Sequence, residues 1–397
     1  MATTVLISGC GVVGPTLAHW LCRKGFAPTV VERAPKPRTA GHRLEVAEPG
    51  IEALRRTGVL DRVRAVGDLS PEVEFYPFDG GRPYGMEVPP ESAGLAVRRG
   101  ELCAALLDRA RDDAEYLYDD SITALHQDPD GVDVRFERGP DRRFDLVIGA
   151  DGLHSNVRGL VFGGTTADHS HYLGTHLVIF STPNTLGVRG KVMFRPGPYR
   201  GCAISAFPGD ELLEGLFLFR AARPMDTRVF TPEERDAFVE RLFDGLGWRV
   251  PWLVEAMRDA KDVHFAPSLQ IRMDAWSKGR VALVGDAAFC PDPMTGQGSV
   301  LGLVGAIVLA GELAAADGDH VRAFAAYEAA MRGFVKSSQS VGGYSTGFVA
   351  PRTGRVGMAL RDTSMVAMLA AATLAFRLGL RPPAWFQGAV DMARYDT

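Results

Sequence analysis

Thr4-Val5-Leu6-Ile7-Ser8-Gly9-Cys10-Gly11-Val12-Val13-Gly14, continued as far as Glu32, is the stretch whose reading decides the fold. Thr4–Ser8 is a short β-branched apolar run, the composition of a strand buried on both faces. Three glycines follow at once in the spacing G-x-G-x-x-G. The pattern then turns helical, with Val13, Leu17, Trp20 and Leu21 on one stripe and Arg23-Lys24-Gly25 closing the helix. Pro28-Thr29-Val30-Val31-Glu32 is a second strand that ends in an acid. Strand, glycine turn, helix, strand and acid form one complete βαβ unit. Such a unit predicts a dinucleotide site: Gly9 permits the tight turn, Gly11 lets backbone approach a pyrophosphate, and Gly14 allows close helix–strand packing. The helix N-terminus favours the anion, and Glu32 is placed to accept hydrogen bonds from ribose hydroxyls. Val13 and Arg33 belong to the same candidate set. The unit does not separate FAD from NAD. NADP is disfavoured because Glu32 would repel a 2′-phosphate, although Arg33 stands beside it.

Outward from this unit, the spacing predicts helix over 48–66 and over Leu95–Ala110. A hairpin is expected from Ile122–Gln127 and Val132–Glu137, joined by the turn Asp128-Pro129-Asp130-Gly131. Between about Tyr172 and Phe219 the chain alternates in strand fashion. Thr231-Pro232-Glu233-Glu234 starts a helix with a cap, a proline at N1 and acids in the first turn. A long Ala-rich helix is read over Gly302–Ala316. Two further motifs each consist of an apolar strand and a polar turn. One is Asp145-Leu146-Val147-Ile148-Gly149-Ala150-Asp151-Gly152, continuing through Ser155 to Arg158. The other is Gly279-Arg280-Val281-Ala282-Leu283-Val284-Gly285-Asp286-Ala287-Ala288, followed by Pro293 and Gly296-Gln297-Gly298.

With these three motifs in this order, the chain resembles the class A flavin-dependent aromatic monooxygenases, the para-hydroxybenzoate hydroxylase-like flavoproteins. Within them it is most similar to the tetracycline-inactivating branch. The resemblance covers roughly Thr4 to Val335. It implies that Gly9, Gly11, Gly14 and Glu32 hold the AMP half of FAD, that Arg99 lies near the pyrophosphate and ribityl chain, and that Asp286 hydrogen-bonds a ribityl hydroxyl. Pro293 and Gly296-Gln297-Gly298 would lie beside the isoalloxazine, where backbone N–H groups at a helix N-terminus stabilise the negative charge of reduced flavin. Asp151-Gly152 and Arg158 match the motif linked to both FAD and the pyridine nucleotide. Two departures stand out. The usual Gly-Asp-Ala-Ala-His becomes Gly285-Asp286-Ala287-Ala288-Phe289, and Val304-Gly305-Ala306 replaces the usual acid after the glutamine loop.

The expected architecture is therefore α/β: a discontinuous Rossmann-like FAD-binding domain (1–164 and 262–341), a β-sheet substrate domain (165–261) and C-terminal bridging helices (342–397). By the family mechanism, NADPH or NADH reduces FAD, O₂ adds at C4a, and one oxygen passes to an electron-rich carbon. No catalytic side chain is required, since the flavin does the chemistry. A dehydrogenase or reductase without oxygen insertion is one alternative, and a non-catalytic flavin- or drug-binding protein is another. The middle segment offers Val178, Phe180, Met193, Phe194, Ile204, Phe207, Phe217 and Phe219 as an apolar face over the flavin. Arg195, Tyr199 and Arg200 are placed to orient an anionic oxygen of a bulky aromatic, phenolic or enolic substrate.

Composition narrows the remaining classes. The chain has 397 residues, 46% hydrophobic and 23% charged, with net charge -4. That excludes a disordered chain, and 44 basic against 48 acidic residues without a basic run argues against nucleic acid as a partner. Five cysteines without a C-x-x-C pair suit a reducing cytoplasm. The apolar run from Thr363 to Phe376 is too short to span a bilayer, and Val5 follows no basic leader segment, so neither secretion nor stable membrane insertion is expected. His169, His171 and His176 are read as surface strand histidines rather than a metal site, Cys290 as a small buried thiol, and Trp248, Trp252 and Trp276 as core. A monomer or weak homodimer is expected.

Overall fold

Thr4–Ser8 forms the centre of a mostly parallel sheet, with Leu146–Gly149 on one side and Ala27–Glu32 on the other. In the computed structural model, residues 2–37, 41–69, 72–86, 94–206, 210–377 and 390–395 are described. The sheet has six strands, in the order Ser277–Lys278, Val281–Leu283, Leu146–Gly149, Thr4–Ser8, Ala27–Glu32 and Glu115–Tyr118, with only the first pair antiparallel. Val5, Leu6 and Ile7 have no exposed surface because other elements cover both faces. The helix Val13–Arg23 packs against the helix Gly298–Ala315. Every residue of the latter from Val300 to Leu313 is buried. That helix is long and apolar enough to cross a membrane, and its burial in the core accounts for the composition.

A second sheet of seven strands lies beyond it, in the order His264–Ile271, Ser170–Pro183, Leu212–Arg220, Arg200–Ala206, Lys191–Gly197, Glu72–Phe75 and Tyr84–Met86. The helices Pro232–Phe243 and Val250–Asp259 pack on one face and close a second apolar core with it. The first of these helices starts with the expected cap: Thr231 and Glu234 satisfy each other's backbone N–H in a capping box. On the opposite face, Leu177, Ile179, Phe194, Leu216 and Leu218 meet Val349, Ala350 and Met294.

Several expectations need correction. The second sheet draws strands from 72–75, 84–86 and 264–271, all outside the expected 165–261 segment. No break occurs between 341 and 342, because both lie inside the single helix His320–Val349. The helix expected over Leu95–Ala110 begins only at Arg99: Leu95–Arg98 is a strand paired with Arg43–Val46. Its β-branched and apolar residues read equally well in either period. The 48–66 helix is two helices, Gly50–Thr57 and Leu60–Val66, separated at Gly58 in the left-handed conformation. After the helix Arg355–Arg377, the turn Met392–Tyr395 returns to the first domain, where Tyr395 donates to Glu312 Oε1 at 2.7 Å.

Candidate active site

The three glycines of the turn are fixed by different things. Gly9 has φ 108°, and a Cβ there would lie 2.6 Å from the Ala150 carbonyl oxygen. A Cβ on Gly14 would lie 1.9 Å from the Gly9 carbonyl oxygen. Protein packing therefore forbids a side chain at both. A Cβ on Gly11 would meet only Arg99 Nη2, 3.9 Å away. Nothing among the described residues requires glycine there, which is what close approach of a ligand to bare backbone would leave behind. The helix that follows starts at Val12 with no side-chain cap and no acid in its first turn, so its N-terminal amides are open to an anion. Glu32 closes the other side: its Oε2 accepts the Cys10 N–H at 2.8 Å and its Oε1 the Ala34 N–H at 2.9 Å. Arg33 beside it is exposed.

The other two motifs converge on this turn. The Gly9 Cβ clash is with Ala150 and Asp151, so the second motif abuts the first. Arg99, at the start of its helix, reaches from Gly11 toward the Asp286 carboxyl, which feels its charge. Asp286 is partly exposed along the groove, yet surrounding protein raises its pKa by desolvation against the opposing pull of Arg99. Pro293 and Gly296 are exposed on the loop that follows. Gly296 has φ 67°, and a Cβ on Gly298 would sit 3.3 Å from Asp286 Oδ1. Gln297 precedes the helix Gly298–Ala315, whose N-terminus also lacks a side-chain cap and an acid. Two uncapped helix N-termini, a glycine that packing does not explain and a groove-lining carboxylate thus occur together. That donor set fits FAD: the first N-terminus and Gly11 would take the pyrophosphate, Glu32 the adenosine ribose, Asp286 the ribityl chain, and the second N-terminus the pyrimidine edge of the ring.

Asp151 and Arg158 are occupied with the fold. Asp151 accepts from Ser155 Oγ at 2.5 Å and from the N–H groups of Asn156 and Val157 at 2.8 and 3.1 Å, so it caps the helix Asn156–Phe162. Arg158 is 1% exposed; it donates to the carbonyls of Ala287 and Leu153 at 2.9 and 2.7 Å and to Thr166 Oγ1 at 3.1 Å. It ties the second motif to the third, and its guanidinium is not available to a pyridine nucleotide.

The substrate residues expected from the sequence lie on the wrong face. Val178, Phe180, Met193, Ile204, Phe217 and Phe219 all belong to the core between sheet and helices, away from the flavin loop. Arg195 is 7% exposed there and donates to the carbonyls of Tyr76, Pro77, Phe78 and Leu246. Arg200 donates to the Asp244 carbonyl. Phe207 lies outside the described residues. Because side chains alternate along a strand, the neighbours of these residues face the flavin side. Among the described residues of the expected apolar set only Phe194 does so, in register with Ala203, Leu216 and Ile179 across three strands and with Phe75 on the other side. Phe75 extends the wall, with ring centroids 5.3 Å from Phe194, 5.7 Å from Tyr84 and 5.6 Å from Phe348. Met294 of the flavin loop packs against the same surface. The bulkiest side chains took the parity closed by helices, and that preference was the available signal.

Two smaller corrections concern histidine and the loop. His176 is fully buried rather than on the surface. Its Nε2 accepts the Met225 N–H at 3.0 Å, so Nδ1 carries the proton and donates to the Tyr172 hydroxyl at 2.9 Å, which in turn donates to the Ala221 carbonyl. Burial holds its pKa down at about 4. Asp292, in the flavin loop and 1% exposed, was not singled out at all.

Comparison with known proteins agrees with this arrangement. Residues 2–329 match the FAD binding domain family. A Mycobacterium tuberculosis protein of uncharacterized function is 39% identical over 351 residues, covering 85% of this chain and 91% of its own length. A flavin-dependent monooxygenase of Legionella longbeachae is 32% identical, covering 85% of this chain and 87% of its own length. The crystal structure of tetracycline destructase Tet(55) superposes with a TM-score of 0.79 at 30% identity, covering 94% of this chain and 97% of that one. By its sequence and its fold, the chain belongs to the FAD binding domain family and is an FAD-dependent monooxygenase.

Proposed function

We propose that this enzyme uses NADH or NADPH to reduce its FAD and inserts one atom of O₂ into a bulky, electron-rich aromatic, phenol or enol. The observation that carries this reading is the apolar wall facing the flavin loop: Ile179, Phe194, Leu216, Phe75 and Tyr84 in one cross-strand row, with Met294 against it. A row across six strands, with Ala203 between Leu216 and Phe194, is wider than a single ring needs. Likeness to a tetracycline destructase supports a multi-ring ligand. When bound, FAD supplies the electron transfer and oxygen activation. The chain's own residues would bind and orient: Gly11 and the first helix N-terminus would hold the cofactor, and the helix N-terminus at Gly298 would stabilise negative charge on it. The aromatic wall excludes water from the reacting face. Since Arg158 is buried, the nicotinamide reaches the flavin by transient binding in the open groove. Five cysteines without a C-x-x-C pair fit a reducing cytoplasm.

The test is NADH and NADPH oxidation with a panel of single-ring and multi-ring phenols and enols, in air and under argon, with ¹⁸O₂ labelling of any product. Oxygen-dependent turnover that places one labelled atom in a multi-ring product is expected. Oxidation that proceeds equally under argon with an added acceptor, with no labelled product, would favour a dehydrogenase.

A further inference from the structure

Asp292 stands between Pro291 and Pro293 in the flavin loop, 1% exposed, with φ 92° and ψ 139°. Side-chain-bearing residues avoid that region. One of its oxygens has a clear structural task. Oδ1 accepts the Met294 N–H at 2.9 Å, and the Asp292 carbonyl accepts the Thr295 hydroxyl at 2.8 Å. Thr295 Oγ1 in turn accepts the Gln297 N–H at 3.1 Å. A run of hydrogen bonds thus leads from Asp292 to the residue that opens the helix Gly298–Ala315.

The other oxygen has no such task. Oδ2 makes no well-formed hydrogen bond among the described residues, nor does the hydroxyl of Ser268 on the adjoining strand, although the two groups are near enough for Ser268 to pull the carboxyl's pKa down against its burial. Capping the turn needs one neutral acceptor, which serine or asparagine would supply. A buried carboxylate with a bare oxygen costs more than either, so capping alone does not account for an acid here. The strand His264–Ile271 presents Ser268 and Gln270 to the loop, the helix His320–Val349 presents Gln339, and the preceding turn presents Cys290 and Asp286. Of these only Cys290 and Asp286 titrate; the Arg158 guanidinium acts on Cys290 and Arg272 donates to Gln270 Oε1, and neither cation offsets the desolvation of Asp292. Desolvation pushes the Asp292 carboxyl up to about 7.

We propose that Asp292 is a proton-holding positioning residue: it takes up one proton when the bound FAD is reduced, and as the neutral acid it donates from Oδ2 to Ser268 Oγ. The inference rests on FAD lying against the 293–298 loop. Reduction delivers two electrons and one proton to the flavin from a hydride donor (the nicotinamide, or dithionite with solvent protons in a test) and leaves negative charge on the ring. An ionised Asp292 beneath the loop repels that charge in a medium of low dielectric. By linkage, the added charge raises the Asp292 pKa, and a second proton comes from solvent to its carboxylate. Two electrons are then accompanied by two protons instead of one, and the N-terminus of the helix faces the ring with no anion behind it.

Two measurements test this, with Asp292→Asn as the neutral isostere and Asp292→Gly as the variant that relieves the backbone. The first is the midpoint potential of bound FAD against pH, from about pH 6 to pH 9, by dithionite titration. The wild type should show a two-proton slope above neutrality that both variants reduce to the one-proton slope. The second is the stability of the FAD-free protein against pH. A carboxyl raised on folding costs stability as pH rises, here from about 4, where the unfolded group ionises, to about 7. Wild type should lose stability over that window relative to Asp292→Asn. Coincident potential slopes in all three proteins would overturn the coupling even if the FAD-free protein titrates as expected, and would leave FAD binding standing. A wild-type protein that retains no FAD would overturn both readings.

Discussion

The glycine turn Gly9–Gly14 and the strand Leu212–Arg220 hold their functional residues by different kinds of constraint. In the turn, each position has a steric meaning of its own, set by backbone and not by the parity of a neighbour. Gly9 is set by its φ and by Ala150, Gly14 by the carbonyl of Gly9, and Gly11 is left for the ligand. In the strand, the run Leu216–Phe219 is apolar and β-compatible throughout, and only parity decides whether a residue faces the helices or the flavin. Leu216 and Phe217 are neighbours in sequence and point into different layers. A local rule locates the cofactor, whereas the substrate face depends on which layer claims the aromatic parity.

The largest effect should come from Gly14→Ala, where a methyl group would overlap backbone that cannot move aside. Overpacking of this kind costs at least about 3 kcal/mol, and the protein should purify without flavin or not fold. Gly11→Ala separates ligand approach from packing. Its Cβ has room, so the melting temperature of the FAD-free protein should stay near wild type while FAD affinity falls about tenfold or more, roughly 1.4 kcal/mol. Equal losses of stability in both variants would break the distinction.

On the second sheet, Phe217→Ala should destabilise by about 3–5 kcal/mol, as a fully buried phenylalanine does when truncated. The loss should appear in denaturant unfolding of the FAD-free protein. Phe194→Ala, on the half-buried flavin side, should cost less stability and change which compounds perturb the flavin spectrum. The smallest effect concerns His176, whose pKa folding lowers from the ordinary 6.5 to about 4. The unfolded chain then binds the proton more tightly, so this residue removes stability as pH falls from about 6.5 to about 4. His176→Gln should flatten that part of the stability–pH curve.

These cases show what could be read from the residues alone. The βαβ unit, the hairpin turn at Asp128–Gly131 and the Thr231 cap were legible because each is specified within a few residues. Asp128 Oδ1 indeed accepts the N–H groups of Asp130 and Gly131. Strand 95–98 was absorbed into a helix because three apolar residues followed by an arginine fit either period. The strand Glu72–Phe75 was missed because it pairs with Lys191–Phe194, more than a hundred positions away, and the edge strand Tyr84–Met86 because it pairs only with Glu72–Phe75. Arg158 and Asp151 matched a motif linked to cofactor contacts, yet in this fold their hydrogen bonds are made to backbone and Ser/Thr hydroxyl groups that no local pattern names.

The assignment of the flavin-side face is tested most directly at two adjacent positions. Using the multi-ring phenol or enol that the panel selects, its dissociation constant is measured from the perturbation of bound-flavin absorbance in Leu216→Ala and Phe217→Ala, under conditions where both are folded. Leu216→Ala should weaken binding about tenfold, roughly 1.4 kcal/mol, with little change in melting temperature. Phe217→Ala should lower the melting temperature and leave the dissociation constant within about twofold. The reverse pattern, with affinity lost at Phe217 and unchanged at Leu216, would contradict the account.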